Sequence, residues 1–112
     1  MKRADVVLVD FPYSDHTGSK LRPAMVVQAD FLNGLISDTI LVSISRTVRP
    51  ASRTEALVEI AQEIQSGLRH DSVVTCTNFI TIDQAFVYRT IGVLSEATMN
   101  KVDQCLRTAL AL

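Results

Sequence analysis

Short runs of β-branched and other apolar residues, separated by turn formers, constrain the fold of this chain more than any other feature. Residues 6–10 (Val-Val-Leu-Val-Asp) read as a buried strand that Phe11-Pro12 ends. Residues 24–28 (Ala-Met-Val-Val-Gln), 39–44 (Thr-Ile-Leu-Val-Ser-Ile), 56–59 (Ala-Leu-Val-Glu), 72–77 (Ser-Val-Val-Thr-Cys-Thr) and 89–94 (Arg-Thr-Ile-Gly-Val-Leu) read the same way. Thr81-Ile-Asp83 extends or follows the fifth run, and residues 83–87 suit one helical turn. Residues 13–21 are rich in turn formers and read as a loop, as do the polar, basic residues 45–54 with Pro50. Residues 30–38, with Asn33-Gly34, make a turn or short helical connection. Residues 60–68 have a helix-like pattern, but Gly67 and the following His-Asp favour a connection. Five to seven short strands punctuated in this way predict a small, partly closed antiparallel barrel. One helix closes the chain. Ser95 is a good N-cap, Met99, Val102, Leu106 and Leu110 recur at helical spacing, and Asp103 and Arg107 sit four apart on a more polar side. The class is therefore mainly β with one α-helix.

A chain of 112 residues makes a single domain over 1–112, large enough to bury a core without staples. No repeat, low-complexity segment or linker interrupts it. The net charge of −1 does not announce a nucleic-acid binder, but its distribution is uneven. Residues 1–53 carry seven basic groups against five acids, residues 54–112 four against seven, and within 46–53 stand Arg46, Arg49 and Arg53 with no acid. Such a stripe either attracts phosphate or is a solvated loop. Cys76 and Cys105 form no CxxC or CxxH pattern, and two isolated Cys with two isolated His make no zinc ligand set. The N-terminus lacks a signal-peptide pattern, and no apolar run reaches membrane-span length. The chain reads as cytoplasmic, with reduced thiols and neither metal nor cofactor.

Several stretches, taken in order, resemble the MazF/PemK toxins. Asp5-Val-Val-Leu-Val-Asp-Phe-Pro12 resembles that family's first strand. Gly18-Ser-Lys-Leu-Arg-Pro-Ala-Met-Val-Val-Gln28 resembles its glycine-containing loop, Arg-Pro pair and second strand. Thr39-Ile-Leu-Val-Ser-Ile-Ser45 resembles the strand ending in a hydroxyl residue, and Asp71-Ser-Val-Val with Ile80-Thr-Ile-Asp83 the later strand and its exit. Ile91-Gly-Val-Leu-Ser95 and the Met99, Val102, Leu106 series resemble the closing segment. No single piece is decisive; the ordered set covers nearly the whole chain. The resemblance implies an SH3-like barrel with a C-terminal helix, a homodimer, a cognate antitoxin as partner, and metal-independent, sequence-specific cleavage of single-stranded RNA. This chain departs from the family pattern with Ser45 where Thr is commoner, Ala4 where a Gly usually precedes the first Asp, and Asn78 where a Gln often contacts RNA.

The resemblance carries two catalytic roles, onto Arg22 and Ser45. Attack by a ribose 2′-hydroxyl builds charge on a phosphorane and leaves a 2′,3′-cyclic phosphate and a 5′-hydroxyl. Arginine's planar, permanently charged fork suits that charge, and Pro23 pushes the Arg22 backbone towards extended geometry. Ser45 can donate to a further phosphate oxygen. Ser19, Lys20, Arg46 and Asn78 are the RNA-binding candidates, with a solvated role as the alternative for Lys20 and Arg46. Arginine is a poor base, so His16 in the 13–21 loop is a candidate for proton transfer, while His70 reads as structural or exposed. Tyr13 and Phe11 are candidates for base stacking, with Phe11 equally suited to the core. Two other readings stay open: a gyrase-binding toxin like the related CcdB proteins, since fold does not fix function, and a catalytically weak homologue that mainly binds an antitoxin.

Overall fold

The computed structural model describes residues 1–13 and 15–112. Its elements run β1 (Asp5–Pro12), β2 (Ser19–Val26), α1 (Asp30–Leu35), β3 (Asp38–Arg46), β4 (Glu55–Val58), β5 (Ser72–Asp83), a 3-10 turn (Gln84–Phe86), β6 (Arg89–Val93) and α2 (Glu96–Leu110). The strands form one antiparallel sheet in the order β4-β5-β3-β2-β1-β6. The mainly β class with a closing helix is therefore as expected. The ends of the elements differ. β1 continues through Pro12 and β2 starts at Ser19, because residues 10–12 and 19–21 pair as a long hairpin. Thr81-Ile-Asp83 is continuous with the fifth run, making β5 a strand of 12 residues. Among the described residues no helix is long and apolar enough to cross a membrane.

The apolar runs are continuous rather than alternating because the sheet is covered on both faces. In β1, Val6 belongs to one core cluster and Val7, Val9 and Phe11 to another; in β2, Met25 belongs to the first and Ala24 and Val26 to the second. The first cluster lies under α2, with Val42, Ile44, Val58, Val74, Cys76, Met99, Val102 and Cys105 among its members. The α2 face differs slightly from the sequence reading. Cys105 and Ala109 pack inward and Leu110 is half exposed, since the buried stripe turns with the 3.6-residue period. The second cluster closes on Ile80, Ile82 and Val87.

Residues 59–71 lie against the free edge of β6 and bridge the two sides of the curled sheet. Val93 N–H donates to Gln65 O at 2.9 Å. Gly92 permits this approach, because a Cβ there would stand 2.2 Å from Gln65 O. Gly67 has φ +74°, which only glycine adopts freely, and a Cβ would stand 2.2 Å from Ile91 O. The same segment anchors α2. The buried Glu63 carboxylate accepts from Ser95 N–H and from Ser95 Oγ at 2.6 Å, while Ser95 Oγ caps the helix by accepting from Thr98 N–H. Asn33, in the stretch expected to be a turn or short helical connection, is buried in α1. Its Oδ1 accepts from Gln28 Nε2 and Thr39 Oγ1, and its Nδ2 donates to Gln28 O, tying α1 to the start of β3.

Candidate active site

Pairing between β2 and β3 runs from Val26↔Leu41 to Ala24↔Ser43. Arg22 and Ser45 lie two residues beyond the last of these pairs, each on the strand face of Ala24 or Ser43, and both line one groove. Pro23 stands between Arg22 and the last pair and has no N–H to donate, so the ladder ends where these side chains begin. On its other side Ser45 is held by pairing with Val73 of β5, and Arg22 by pairing with Val9 of β1. Both residues are partly buried. The Arg22 guanidinium carbon lies 5.9 Å from the centroid of the fully buried Phe11 ring. Phe11 is thus a core residue that backs the arginine, not a free stacking platform. Arg22 Nε is buried and has no hydrogen-bond partner among the described residues. A buried unsatisfied donor is costly, and an anionic oxygen at that position would satisfy it.

Arg22 and Ser45 open into a groove of about 700 Å³ whose lining includes Lys20, Arg46, Arg69, His70 and Arg89. Among the described residues, five cationic side chains line the groove and no aspartate or glutamate does. Overlapping positive fields in a concave surface concentrate anions. Two smaller depressions share lining residues with the groove. Arg22 also lines one with Pro12, Tyr13, Asp15, Thr17 and Asn78; Ser45 and Arg46 also line one with Ser43, Arg49, Glu55 and Asn78. Asn78 reaches this junction because of an irregularity in β5. The β3–β5 register jumps between Val42↔Phe79 and Ser43↔Thr75, so residues 76–78 form an extended bulge. Asn78 Nδ2 donates to Ser43 Oγ at 3.1 Å, which orients the amide beside the groove.

The three arginines of residues 46–53 do not act alike. Arg46 lines the groove. Arg49 forms a two-pronged pair with Glu55, Nη1 to Oε1 at 2.7 Å and Nη2 to Oε2 at 3.0 Å, and Ser52 N–H adds a third bond. The Arg49 bonds, followed by the Ser52 amide, hold the Glu55 carboxyl down at about 2. Arg53 is exposed.

Of the sequence candidates, Lys20, Arg22, Ser45, Arg46 and Asn78 come together at this junction. Ser19 and His16 do not line it. Ser19 pairs with Pro12 at the open end of the hairpin, and His16 is exposed in the loop beyond it, with φ +62°. Tyr13 lines the depression beside Arg22 and Asn78. Ser14, in the same loop, lies outside the described residues. Sequence reading missed Arg69 and Arg89 and set His70 aside. These three belong to segments remote in sequence, and only the closure of 59–71 and β6 against β1 brings them beside Arg22. Cys76 and Cys105 are buried in the first cluster, and burial first, then the neighbouring Cys105, pushes the Cys76 thiol up to about 12. Burial likewise raises the Cys105 thiol, so both favour the neutral form. Among the described residues no three His, Cys, Asp or Glu side chains are grouped to hold a metal ion.

Comparison with known proteins bears on this arrangement. Residues 2–110 match the model of a family described as PemK-like, MazF-like toxin of type II toxin-antitoxin system. The chain is 31% identical over 113 residues to Endoribonuclease EndoA of Bacillus subtilis (strain 168), covering 100% of this chain and 96% of that protein. An endoribonuclease solved in complex with its cognate antitoxin from a mycobacterial species has the same fold, with a TM-score of 0.82 at 24% identity over 100% of this chain and 96% of that one. The Mycobacterium tuberculosis toxin MazF-mt6 has a TM-score of 0.77 at 25% identity, over 96% of this chain and 97% of its own. With the family model spanning almost the entire sequence, this chain belongs to the PemK-like, MazF-like toxins of type II toxin–antitoxin systems.

Proposed function

We propose that this toxin is an endoribonuclease that cleaves single-stranded RNA in the groove between Arg22 and Ser45. One observation carries the reading: a partly buried arginine with an unpartnered Nε shares a groove with the Ser45 hydroxyl, and among the described residues that groove is lined by five cations and no carboxylate. Arg22 stabilises the charge that develops on the scissile phosphate, through donors already held in place when the reaction starts. Ser45 Oγ donates to a second non-bridging oxygen. Lys20, Arg46, Arg69 and Arg89 hold neighbouring phosphates, and Asn78, with Ser19 at the hairpin mouth, contacts the chain on either side. The nucleophile is the substrate's own 2′-hydroxyl, so cleavage leaves a 2′,3′-cyclic phosphate and a 5′-hydroxyl and requires no metal or cofactor. The sequence preference lies in groove contacts such as that of Asn78. The partners are a cognate antitoxin, in keeping with the family, and a second copy of the chain. The homodimer is expected at twice the 12.3 kDa chain mass by light scattering. The protein acts in the cytoplasm, where its RNA substrate is found.

The test is incubation of purified, antitoxin-free protein with a long single-stranded RNA in excess EDTA, followed by mapping of the ends. Discrete cuts with 5′-hydroxyl ends are expected. Arg22→Ala lowers the rate by about 10²- to 10³-fold, the usual cost of one preorganised donor. Full activity in Arg22→Ala refutes the mechanism. No cleavage by folded wild-type protein refutes the ribonuclease itself and leaves a gyrase-binding toxin or an antitoxin-binding homologue.

A further inference from the structure

We propose that His70 is the general base that takes the proton from the attacking 2′-hydroxyl, an inference that rests on the ribonuclease reading above. In the step, the O2′–H bond breaks as O2′–P forms, and its proton passes to the imidazole. The P–O5′ bond breaks, the leaving 5′-oxygen takes a proton from water, and the imidazolium returns its proton to solvent. Atoms and charge balance with no further reactant.

The groove is rich in donors and poor in acceptors. Lys20 and Arg22 face it from β2, Arg46 from β3, Arg69 from the 59–71 segment and Arg89 from β6. Ammonium and guanidinium groups donate only, so none can receive the 2′ proton. Ser45, Ser72 and Thr90 offer hydroxyls, which are weak bases, and no aspartate or glutamate lines the groove. Among the described residues His70 is the one lining side chain with a basic lone pair, and imidazole is the side chain most often used for general acid–base catalysis.

The His70 backbone is fixed where the chain enters β5. Ser72 Oγ donates to the His70 backbone carbonyl at 2.8 Å, which pins the residue at the start of β5 while its side chain stays exposed at the groove. Its neighbour Asp71 is engaged elsewhere, accepting from Ile60 N–H at 3.0 Å, and does not line the groove. His16, the other histidine, sits in the β1–β2 loop outside the lining.

The experiment compares full-length wild type, His70→Gln, His70→Ala and His16→Gln on an oligoribonucleotide carrying a mapped cleavage site, in excess EDTA, from about pH 5 to 9. His70→Gln is expected to lower kcat/KM by about 10²- to 10⁴-fold, the usual contribution of a positioned acid–base group. It is also expected to abolish the rise in rate on the acid side of the profile. Affinity for the same oligonucleotide with a 2′-deoxy sugar at the cleavage site stays within about threefold of wild type, because the base acts on the chemical step. Added imidazole restores part of the activity of His70→Ala. Retention of rate and acid limb in His70→Gln overturns the assignment, as does transfer of both effects to His16→Gln. A wild-type protein that cuts no RNA overturns the ribonuclease reading as well, which separates the two failures.

Discussion

Glu55→Gln tests how the wall beside Ser45 and Arg46 is held. Glu55 is buried, and its carboxylate receives two bonds from Arg49 and one from the Ser52 amide. These bonds hold its pKa at about 2, against 4.5 for an ordinary glutamate. A depressed carboxylate pKa stabilises the folded state fully above the unfolded value, and that contribution fades as the pH falls through the folded value. A difference of about 2.5 units, at about 1.4 kcal/mol each, sets an upper bound of about 3.4 kcal/mol. The Arg49 side chain is 60% exposed, so solvent screens much of the attraction, and about 1–2 kcal/mol is the expected contribution at pH 7. Urea unfolding of wild type and Glu55→Gln should therefore differ by about 1–2 kcal/mol at pH 7, and the gap should shrink between pH 4.5 and about 2. Equal differences at pH 7 and near pH 2.5, or a difference below about 0.3 kcal/mol at pH 7, would refute the linkage.

Two further outcomes test the closure and the groove. Gly92→Ala drives a Cβ to 2.2 Å from Gln65 O and 2.3 Å from Ser66 C, both backbone atoms that cannot swing aside. It should cost about 2–4 kcal/mol and lower Tm by about 10 °C, and a shift under about 2 °C would show that the 59–71 segment is not packed as described. RNA affinity should fall with salt at a log–log slope of about −2 to −3.5, corresponding to three to five phosphates on the five groove cations. Arg69→Ala or Arg89→Ala should each reduce the slope by about 0.7; a slope near zero, or one untouched by both substitutions, would remove these residues from the RNA path.

What a reader of the sequence alone can recover follows from how local each signal is. The strands were legible because β-branched runs and turn formers act within a few residues, and α2 because its cap and apolar stripe are contained in residues 95–110. Arg22 and Ser45 were legible through ordered motifs resembling a known family, since each sits in a short local pattern. Other features were not local. The division of Val6 from Val7, and of Met25 from Ala24, into two cores depends on both sheet faces being covered. The position of Asn78 depends on a register jump between β3 and β5 that no residue spacing announces.

Residue chemistry and short-range pattern by themselves determined a mainly β chain with one closing helix, and only the ordered resemblance to a known family singled out Arg22 and Ser45 as candidates. The tertiary structure alone decided which charges share the groove. It spent Arg49 on Glu55, left His16 outside the lining, and brought Arg69, His70 and Arg89 beside Arg22. The physical reason is that a groove is made by contacts between segments far apart in the chain. The glycines that allow the closest of those contacts, Gly67 and Gly92, acquire meaning only when Ile91, Gln65 and Ser66 are seen against them.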